Sequence, residues 1–314
     1  MNCFLVTGGA GFIGSNLALA LQQHFESARI VVVDDFRSGD FKNLCGFRGD
    51  FVAADISRLD WNEQFKDITF DVIFHEASIT DTTDHDQFKQ AHDNIEGFRR
   101  LLSFAEQSQT PVIYASSAAT YGLKSGIMYE DDPVLAPANI YAFTKVQIDN
   151  LARYYMNKMP SWKIIGLRYF NVYGPREAHK RSAASMVYQL YKQIKDGKNP
   201  RIFKFGEQKR DFVYVKDVIN LNIKAISAKK SGIYNCGSGC PISFNQLVEI
   251  LNKNLGTDFA PEYFENPYKE FYQSHTEADL TKTKNDFGFS PTTPFEGIAD
   301  YIAILEGKKP LPYF

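Results

Sequence analysis

The segment Val6-Thr-Gly-Gly-Ala-Gly-Phe-Ile-Gly14 decides the fold, because a glycine-rich turn here joins a short apolar run to an amphipathic one. Its glycines satisfy both Gly9-x-Gly11-x-x-Gly14 and Gly8-x-x-Gly11-x-x-Gly14. Such spacing lets bare backbone N–H groups approach a pyrophosphate at a helix N-terminus. Asp34, 20 residues after Gly14, ends the next apolar run, where a carboxylate accepts hydrogen bonds from an adenosine ribose. The pattern predicts dinucleotide contacts at Gly8, Gly11, Phe12, Ile13, Gly14 and Asp34.

Short β-branched runs alternate with longer amphipathic runs around this turn, which is typical of βαβ units on a parallel sheet. The predicted strands are Phe4–Thr7, Ile30–Asp34, Phe51–Ala54, Val72–His75, Val112–Ser116 and Ile164–Tyr169. The predicted helices are Phe12–His24, Phe88–Gln107, Ile140–Met159, Ala183–Lys195, Val215–Ala228, Phe244–Leu255 and Phe295–Leu305. We therefore expect an α/β fold: a Rossmann-type doubly wound parallel sheet in residues 1–170, binding the dinucleotide. A smaller, less regular C-terminal lobe, residues 171–314, would bind substrate, with segments crossing back to the first domain.

Composition excludes several classes of partner. The 314 residues carry 35 Lys and Arg against 37 Asp and Glu, so there is no basic excess for nucleic acid or an anionic membrane. No apolar run reaches the roughly 18 residues of a membrane span, and the first residues lack the pattern of a secretion signal. The four cysteines lack zinc-site spacing. We expect a cytoplasmic, metal-free protein with reduced thiols that forms a homo-oligomer and acts on a small molecule.

A tyrosine and a lysine four residues apart, Tyr141 and Lys145, begin a predicted helix and therefore share one of its faces. An ammonium beside a phenol lowers the pKa of the phenol, which would make Tyr141 a usable base. The same spacing recurs at Tyr154/Lys158, Tyr188/Lys192 and Tyr191/Lys195, which we interpret as surface pairs. Tyr141 differs because it follows Ser116-Ser117, at the end of a predicted strand, by about 25 residues. Ser117, Tyr141 and Lys145 together predict hydride transfer at a carbinol carbon.

The remaining strand ends predict the rest of the dinucleotide site, because ligands of such sheets lie outside the carboxyl ends of the strands. Asp55-Ile56 would meet the adenine, and Glu76-Ala77-Ser78 would line the route to the nicotinamide. Asp34 favours the free 2′-hydroxyl of NAD. Arg37 and Lys42 are cations that could hold the 2′-phosphate of NADP, so the residues alone leave the choice open.

The glycine turn, the Tyr141-x-x-x-Lys145 motif and the chain length resemble the extended short-chain dehydrogenase/reductase family of nucleotide-sugar epimerases and dehydratases. Within it, the chain resembles the ADP-heptose epimerases most closely, and the resemblance thins after about residue 250. The segments that carry it are Phe74-His-Glu76, Tyr114-Ala-Ser-Ser-Ala-Ala-Thr-Tyr-Gly122, Arg168-Tyr-Phe-Asn-Val-Tyr-Gly-Pro-Arg-Glu177, His179-Lys180 and Lys209-Arg-Asp-Phe-Val-Tyr-Val215.

The resemblance implies an NADP-dependent 6″-epimerisation of an ADP-heptose through a transient ketone, in the supply of lipopolysaccharide. Tyr141 and Lys180 would be the two acid/base residues, Lys145 would hold the nicotinamide ribose and Ser117 would assist at the sugar oxygen. The cofactor contacts would extend to Asp35, Arg37, Lys42, Asn94, Lys145, Val172 and Lys180. Substrate contacts are implied at Ser117, Asn171, Ser182, Gln189, Phe203, Arg210 and Tyr272. Gln189 departs from the family pattern, which has a histidine there.

Three alternatives remain beside this interpretation. A 4-epimerase acting on a UDP-hexose would need the same Tyr141 and Lys145 but has no evident use for Lys180. A 4,6-dehydratase needs an acidic pair after the serine, where this chain has Ala118-Ala119. A dinucleotide-sensing module without catalysis would not need Tyr141 and Lys145.

Overall fold

The computed structural model describes residues 2–80, 86–133, 135–267 and 273–312. Its strands are β1 Cys3–Thr7, β2 Arg29–Asp34, β3 Asp50–Ala53, β4 Val72–His75, β5 Val112–Ser117, β6 Gly126–Met128, β7 Ile164–Tyr169, β8 Asn171–Tyr173, β9 Arg201–Phe203, β10 Lys209–Arg210, β11 Phe212–Tyr214, β12 Gly232–Cys236, β13 Ile242–Ser243, β14 Glu262–Phe264 and β15 Thr276–Ala278. Its α-helices are α1 Phe12–His24, α2 Trp61–Gln64, α3 Gln87–Glu106, α4 Ile140–Lys158, α5 Met186–Lys195, α6 Val215–Ala225, α7 Phe244–Leu255, α8 Thr281–Phe287 and α9 Pro294–Leu305. None of these helices has both the length and the apolar character needed to cross a membrane.

Seven parallel strands form the central sheet, in the order β12-β7-β5-β4-β1-β2-β3. Strand β1 is the point where the strand order reverses, since β2 and β3 follow on one side while β4, β5 and β7 follow on the other. Thr7, the last residue of β1, pairs with Val33 of β2 and with His75 of β4. The carboxyl ends of β1 and β4 therefore flank the crevice in which doubly wound sheets bind their ligands.

The two faces of the sheet are covered by separate apolar clusters, as alternate side chains of β1 illustrate. Phe4 and Val6 join the cluster that includes residues of α1 and α6 and continues into the C-terminal part of the chain. Cys3 and Leu5 join the cluster that includes residues of α2, α3 and α4. The sheet is thus a middle layer between helices, which explains why its strands read as continuous apolar runs.

The predicted fold class is confirmed, and the structure adds helices α2 and α8 and the short strands β6, β8–β11 and β13–β15, which the sequence analysis did not predict. It also corrects three details. Helix α5 begins at Met186 rather than at residue 183, because a short 3-10 helix, Ala178–Ala183, precedes it and contains Arg181 at φ 52°. Helix α6 ends at Ala225. Strand β12, which the sequence analysis missed, pairs with β7 in the central sheet although it comes from the later part of the chain. The division at residue 170 stays a prediction.

A fully buried ion pair joins helix α4 to strand β7. Arg168 donates from Nε and Nη2 to Oδ2 of Asp149, at 3.1 and 2.9 Å, and neither side chain is exposed. The hydroxyl of Tyr114, on β5, donates to the other carboxylate oxygen at 3.0 Å. The guanidinium also lies 4.8 Å from the ring centroid of Tyr121. These contacts hold α4, one turn beyond Lys145, against the sheet.

We expect the substitution Asp149→Ala to lower the free energy of unfolding by roughly 3–5 kcal/mol, because it leaves the Arg168 guanidinium buried without a counter-charge. Urea denaturation followed by circular dichroism measures this loss. Lys158→Ala is the control on the same helix: it removes an ion pair with Glu106 that is largely exposed, and should change the midpoint far less. Equal losses in the two variants would contradict the prediction.

Candidate active site

The glycine turn after β1 is shaped by close backbone approaches. Gly8 has φ +68°, and a Cβ there would lie 2.6 Å from the backbone nitrogen of Ala77 on the neighbouring β4 loop. A Cβ on Gly14 would lie 2.1 Å from the carbonyl oxygen of Gly8. Gly11 is the N-cap of α1 and supplies no side-chain cap, so the first N–H groups of the helix have no side-chain acceptor there. Because such N–H groups bind phosphate, the turn fits a pyrophosphate.

Asp34 fixes this turn to the end of β2. Its carboxylate accepts hydrogen bonds from the backbone N–H groups of Ala10, at 2.9 Å, and Phe36, at 2.8 Å. Burial raises the pKa of Asp34, and the two hydrogen bonds act against that rise. The predicted ribose acceptor therefore also has a structural task, which the spacing did not reveal.

The loops after β2 and β3 meet at the end of the crevice that the sequence analysis assigns to the adenosine, and acidic groups outnumber cations there. The Arg37 guanidinium donates to Asp35 at 2.5 Å, to Asp55 at 2.9 Å and to Asp93 of α3. Lys42, in the short 3-10 helix Phe41–Leu44, is exposed. Of the two cations expected to hold a 2′-phosphate, Arg37 is thus already surrounded by carboxylates.

The loop after β4 is held by Asn94 of α3. The Asn94 side chain accepts from the backbone N–H of Ile79 at 2.7 Å and donates to its carbonyl at 3.1 Å. Its amide nitrogen also lies 3.2 Å from Thr144 Oγ1 of α4. Asn94 therefore ties the predicted nicotinamide loop to the helix that carries Tyr141. The sequence analysis gave Asn94 only a cofactor contact.

Polar atoms without partners collect at the carboxyl ends of β4 and β5. Among the described residues, four atoms in this region are buried and have no hydrogen-bond partner: His75 Nε2, Glu76 Oε2, Ser78 Oγ and Ser116 Oγ. Buried polar groups without partners are rare in proteins and indicate a missing ligand or water. Together with the glycine turn, they fit a nicotinamide dinucleotide in the crevice.

Tyr141, Lys145 and Ser117 come together as the sequence predicts. Tyr141 lies in the first turn of α4, whose N-cap Asn139 accepts from the Ala142 N–H at 2.9 Å. The Lys145 ammonium donates to the Ala115 carbonyl at 2.7 Å and lies 5.8 Å from the Tyr141 ring centroid. Ser117 ends β5. A phenol, an ammonium and a hydroxyl therefore meet at one edge of the crevice.

The sequence analysis expected Lys145 to lower the pKa of Tyr141, but the net shift of that pKa is upward. The pKa of Tyr141 lies above its ordinary value, chiefly because of burial and also because of the charge of Glu76, while a hydrogen bond with Ser117 acts against the rise. Burial lowers the pKa of Lys145 to about 8, against the opposing effects of Glu76 and Asp149. The Lys145 ammonium contacts a backbone carbonyl rather than the phenol oxygen, so burial dominates at Tyr141.

Lys180 lies beside the start of α1, next to the glycine turn. Its ammonium is 5.5 Å from the ring centroid of Phe12, the first residue of α1, and burial lowers its pKa. The neighbouring His179 has Nδ1 at 3.0 Å from Asn43 Nδ2, an amide that also donates to the Ala10 carbonyl at 3.0 Å. Asn43 thus links the glycine turn to the Lys180 segment. No spacing rule singles out Asn43, and the sequence analysis missed it.

The implied substrate residues are distributed over the C-terminal part of the chain. Asn171 begins β8, and Val172 pairs with Val213 of β11. The Gln189 amide donates to the carbonyls of Ser182, at 3.1 Å, and Ala184, at 2.7 Å. Phe203 ends β9, and Arg210 is buried on β10. Tyr272 lies outside the described residues. The substrate roles of these residues stay predictions.

Comparisons with known proteins show the family and agree with the fold. Residues 4–237 match the model of the "NAD dependent epimerase/dehydratase family". The chain is 42% identical to the ADP-L-glycero-D-manno-heptose-6-epimerase of Helicobacter pylori, over 97% of this chain and 96% of that one, with a TM-score of 0.89. It is 26% identical to the UDP-glucose 4-epimerase of Thermotoga maritima, over 98% and 99% of the two chains, with a TM-score of 0.88. It is 29% identical to the UDP-glucuronic acid 4-epimerase of Bacillus cereus, which was solved with UDP-glucuronic acid and NAD. That match covers 96% of this chain and 99% of that one, with a TM-score of 0.82.

We expect Gly14→Ala to weaken dinucleotide binding at least about tenfold, because the added methyl group would collide with the Gly8 carbonyl and deform the glycine turn. Isothermal titration calorimetry on nucleotide-free protein measures the dissociation constant. Gly256→Ala, at the end of α7, is the control: Gly256 has φ +69° and no neighbour within 4 Å, so its replacement strains the backbone away from the site. Unchanged affinity in Gly14→Ala would contradict the prediction.

Proposed function

Because the chain belongs to the NAD dependent epimerase/dehydratase family, we propose that it is an ADP-L-glycero-D-manno-heptose 6-epimerase. It inverts C6″ of ADP-D-glycero-D-manno-heptose and supplies ADP-heptose for lipopolysaccharide in the cytoplasm. The observation that carries the proposal is the presence of two buried ionisable groups, the Tyr141 phenol in the first turn of α4 and the Lys180 ammonium beside Phe12, which follows the glycine turn. The 42% identity to the Helicobacter pylori enzyme supports the same substrate.

A redox epimerase needs a hydride acceptor and two groups that exchange protons with a hydroxyl in opposite orientations. A nicotinamide dinucleotide in its oxidised form would supply the hydride acceptor at C6″, and the hydride donor for the return step. Gly8, Gly11 and Gly14 would hold its pyrophosphate, and Lys145 would orient its nicotinamide ribose. The chain itself supplies the proton transfers, which fall to Tyr141 and Lys180.

The opposite pKa shifts of these two residues suit opposite proton-transfer roles. Burial lowers the pKa of Lys180, which makes its neutral amine more accessible as the base that takes the C6″ hydroxyl proton. The raised pKa of Tyr141 keeps the phenol protonated, so that it can give its proton to the oxygen when hydride returns. The ketone rotates between the two steps. Proton exchange with solvent then restores Tyr141 and Lys180.

NADP is the dinucleotide that we propose, on the family resemblance. Lys42 is the exposed cation available to its 2′-phosphate, and Arg37 would exchange one of its carboxylate partners for the phosphate. NAD is the alternative, because Asp34, Asp35 and Asp55 make this end of the crevice acidic and disfavour a further negative charge. The identity of the bound nucleotide decides between the two.

The first experiment incubates purified protein with ADP-D-glycero-D-manno-heptose and follows the C6″ configuration by proton NMR. We expect interconversion of the two epimers without added cofactor, because the dinucleotide undergoes no net redox change and stays bound. Denaturing the same sample and identifying the released nucleotide by mass spectrometry tests NADP against NAD. No interconversion, even with both nucleotides supplied, would overturn the heptose assignment and favour the alternative, a UDP-hexose 4-epimerase.

We expect Tyr141→Phe to lower kcat by about 100-fold or more, because it removes a proton that is transferred during the reaction. Lys180→Met should also lower kcat at least about tenfold. Tyr154→Phe is a matched control on the same helix: the Lys158 ammonium lies 5.9 Å from the Tyr154 ring, as Lys145 lies 5.8 Å from Tyr141, but Tyr154 is exposed. The same NMR assay measures all three. The mechanism would be contradicted if both Tyr141→Phe and Lys180→Met had a kcat within tenfold of that of the unaltered protein.

A further inference from the structure

The Lys145 ammonium is buried without an ion-pair partner in the described part of the chain. The residue is 1% exposed, and the hydrogen bond found for its Nζ goes to a neutral group, the Ala115 carbonyl. Burying an ammonium without a counter-charge costs several kcal/mol, and such a group tends to lose its proton. To stay protonated, Lys145 therefore needs a carboxylate nearby, and the Tyr141-x-x-x-Lys145 motif contains none.

Two carboxylates lie in the surroundings of Lys145. His75 of β4 pairs with Tyr114 of β5, so the next residue, Glu76, lies beside Ala115, whose carbonyl accepts from Lys145. Asp149 follows Lys145 by one turn of α4, and both carboxylates act electrostatically on Lys145.

Asp149 is committed elsewhere. One of its oxygens accepts both hydrogen bonds from Arg168, and the other accepts from the Tyr114 hydroxyl. Its negative charge is thus matched by the Arg168 guanidinium, which leaves Glu76 as the candidate.

Glu76 lies at the end of β4 with only one of its oxygens engaged. Oε1 accepts from the Tyr169 hydroxyl at 2.9 Å, and that hydroxyl in turn accepts from Asn222 Nδ2 at 2.8 Å. Oε2 is buried and has no hydrogen-bond partner among the described residues. The carboxylate is therefore held in place on one side and uncommitted on the other.

We propose that Glu76 is the counter-ion of Lys145 and a positioning residue of the active site. Its negative charge keeps Lys145 protonated, and so able to hold the nicotinamide ribose, while Tyr169 and Asn222 keep the carboxylate in place. The sequence motif assigned Glu76 only to the lining of the cofactor route. The proposal depends on the dinucleotide fold and on Lys145, and not on which sugar the enzyme accepts.

The titratable groups around Glu76 give the sign of its effect on the pKa of Lys145. Glu76 interacts electrostatically with Tyr141 and Lys145 of α4, Tyr169 of β7 and Cys236 of β12. Burial raises the pKa of Glu76 and lowers the pKa of Lys145, and the charge of each group acts against the shift of the other. Removing the negative charge lowers the pKa of Lys145, because a cation loses its stabilising neighbour.

NMR titration of ¹³Cε-lysine-labelled protein measures this effect directly, with the Lys145 resonance assigned by its loss in Lys145→Met. In Glu76→Gln, which keeps an oxygen to accept from Tyr169, we expect the pKa of Lys145 to fall by about one unit or more. Glu76→Asp retains the charge and should restore part of the shift. Glu130→Gln is the control: it neutralises another buried carboxylate, one that accepts from the Asn235 N–H, and should leave Lys145 unchanged.

Dinucleotide binding gives a second measurement that a merely structural role would not move. As pH rises, affinity should fall when Lys145 loses its proton, and in Glu76→Gln this fall should begin about one pH unit lower than in the unaltered protein. An unchanged Lys145 titration in Glu76→Gln, or an equal shift in Glu130→Gln, would overturn the proposal. If Glu76→Gln does not fold, an unchanged Lys145 pKa in Glu76→Asp, whose shorter side chain retracts the charge, would overturn it as well.

Discussion

The buried contact between the Arg168 guanidinium and the Asp149 carboxylate fixes how helix α4 sits on the sheet. Asp149 follows Lys145 by one turn of α4, and Arg168 comes near the end of β7, so the pair sets both the height and the rotation of the helix. An ion pair with no exposure gains little net stability over apolar packing. Its value here is orientational, since the helix that it holds also carries Tyr141 and Lys145.

Charge in the crevice is distributed so that each buried carboxylate has a separate task. Asp149 neutralises Arg168, Asp34 accepts the N–H groups that fix the glycine turn, and Glu76 remains beside Lys145. Asp149 also raises the pKa of Lys145, but its charge is matched by Arg168, whereas Glu76 has no cationic hydrogen-bond partner among the described residues. The result is a lysine whose pKa of about 8 lies close to physiological pH.

Local patterns predicted the central sheet and the Ser117–Tyr141–Lys145 group, because each depends on short-range periodicity or fixed spacing. Strand β12 was missed, since its five residues pair with β7 over a long separation in sequence. The lowering of the Tyr141 pKa was predicted wrongly, because spacing gives proximity but not burial. The partners of Arg37 and the link through Asn43 could not be predicted either: both join loops whose approach is set by packing.

Strand β12 also bears on how the chain is made. Strand β7 has β5 on one side and β12 on the other, and β12 is synthesised well after β7. Until Gly232–Cys236 leaves the ribosome, β7 is an edge strand with unpaired N–H and C=O groups, which can pair with other chains. The nascent N-terminal half therefore cannot complete its sheet alone. The β7 edge is therefore open to such pairing during translation until β12 has been made.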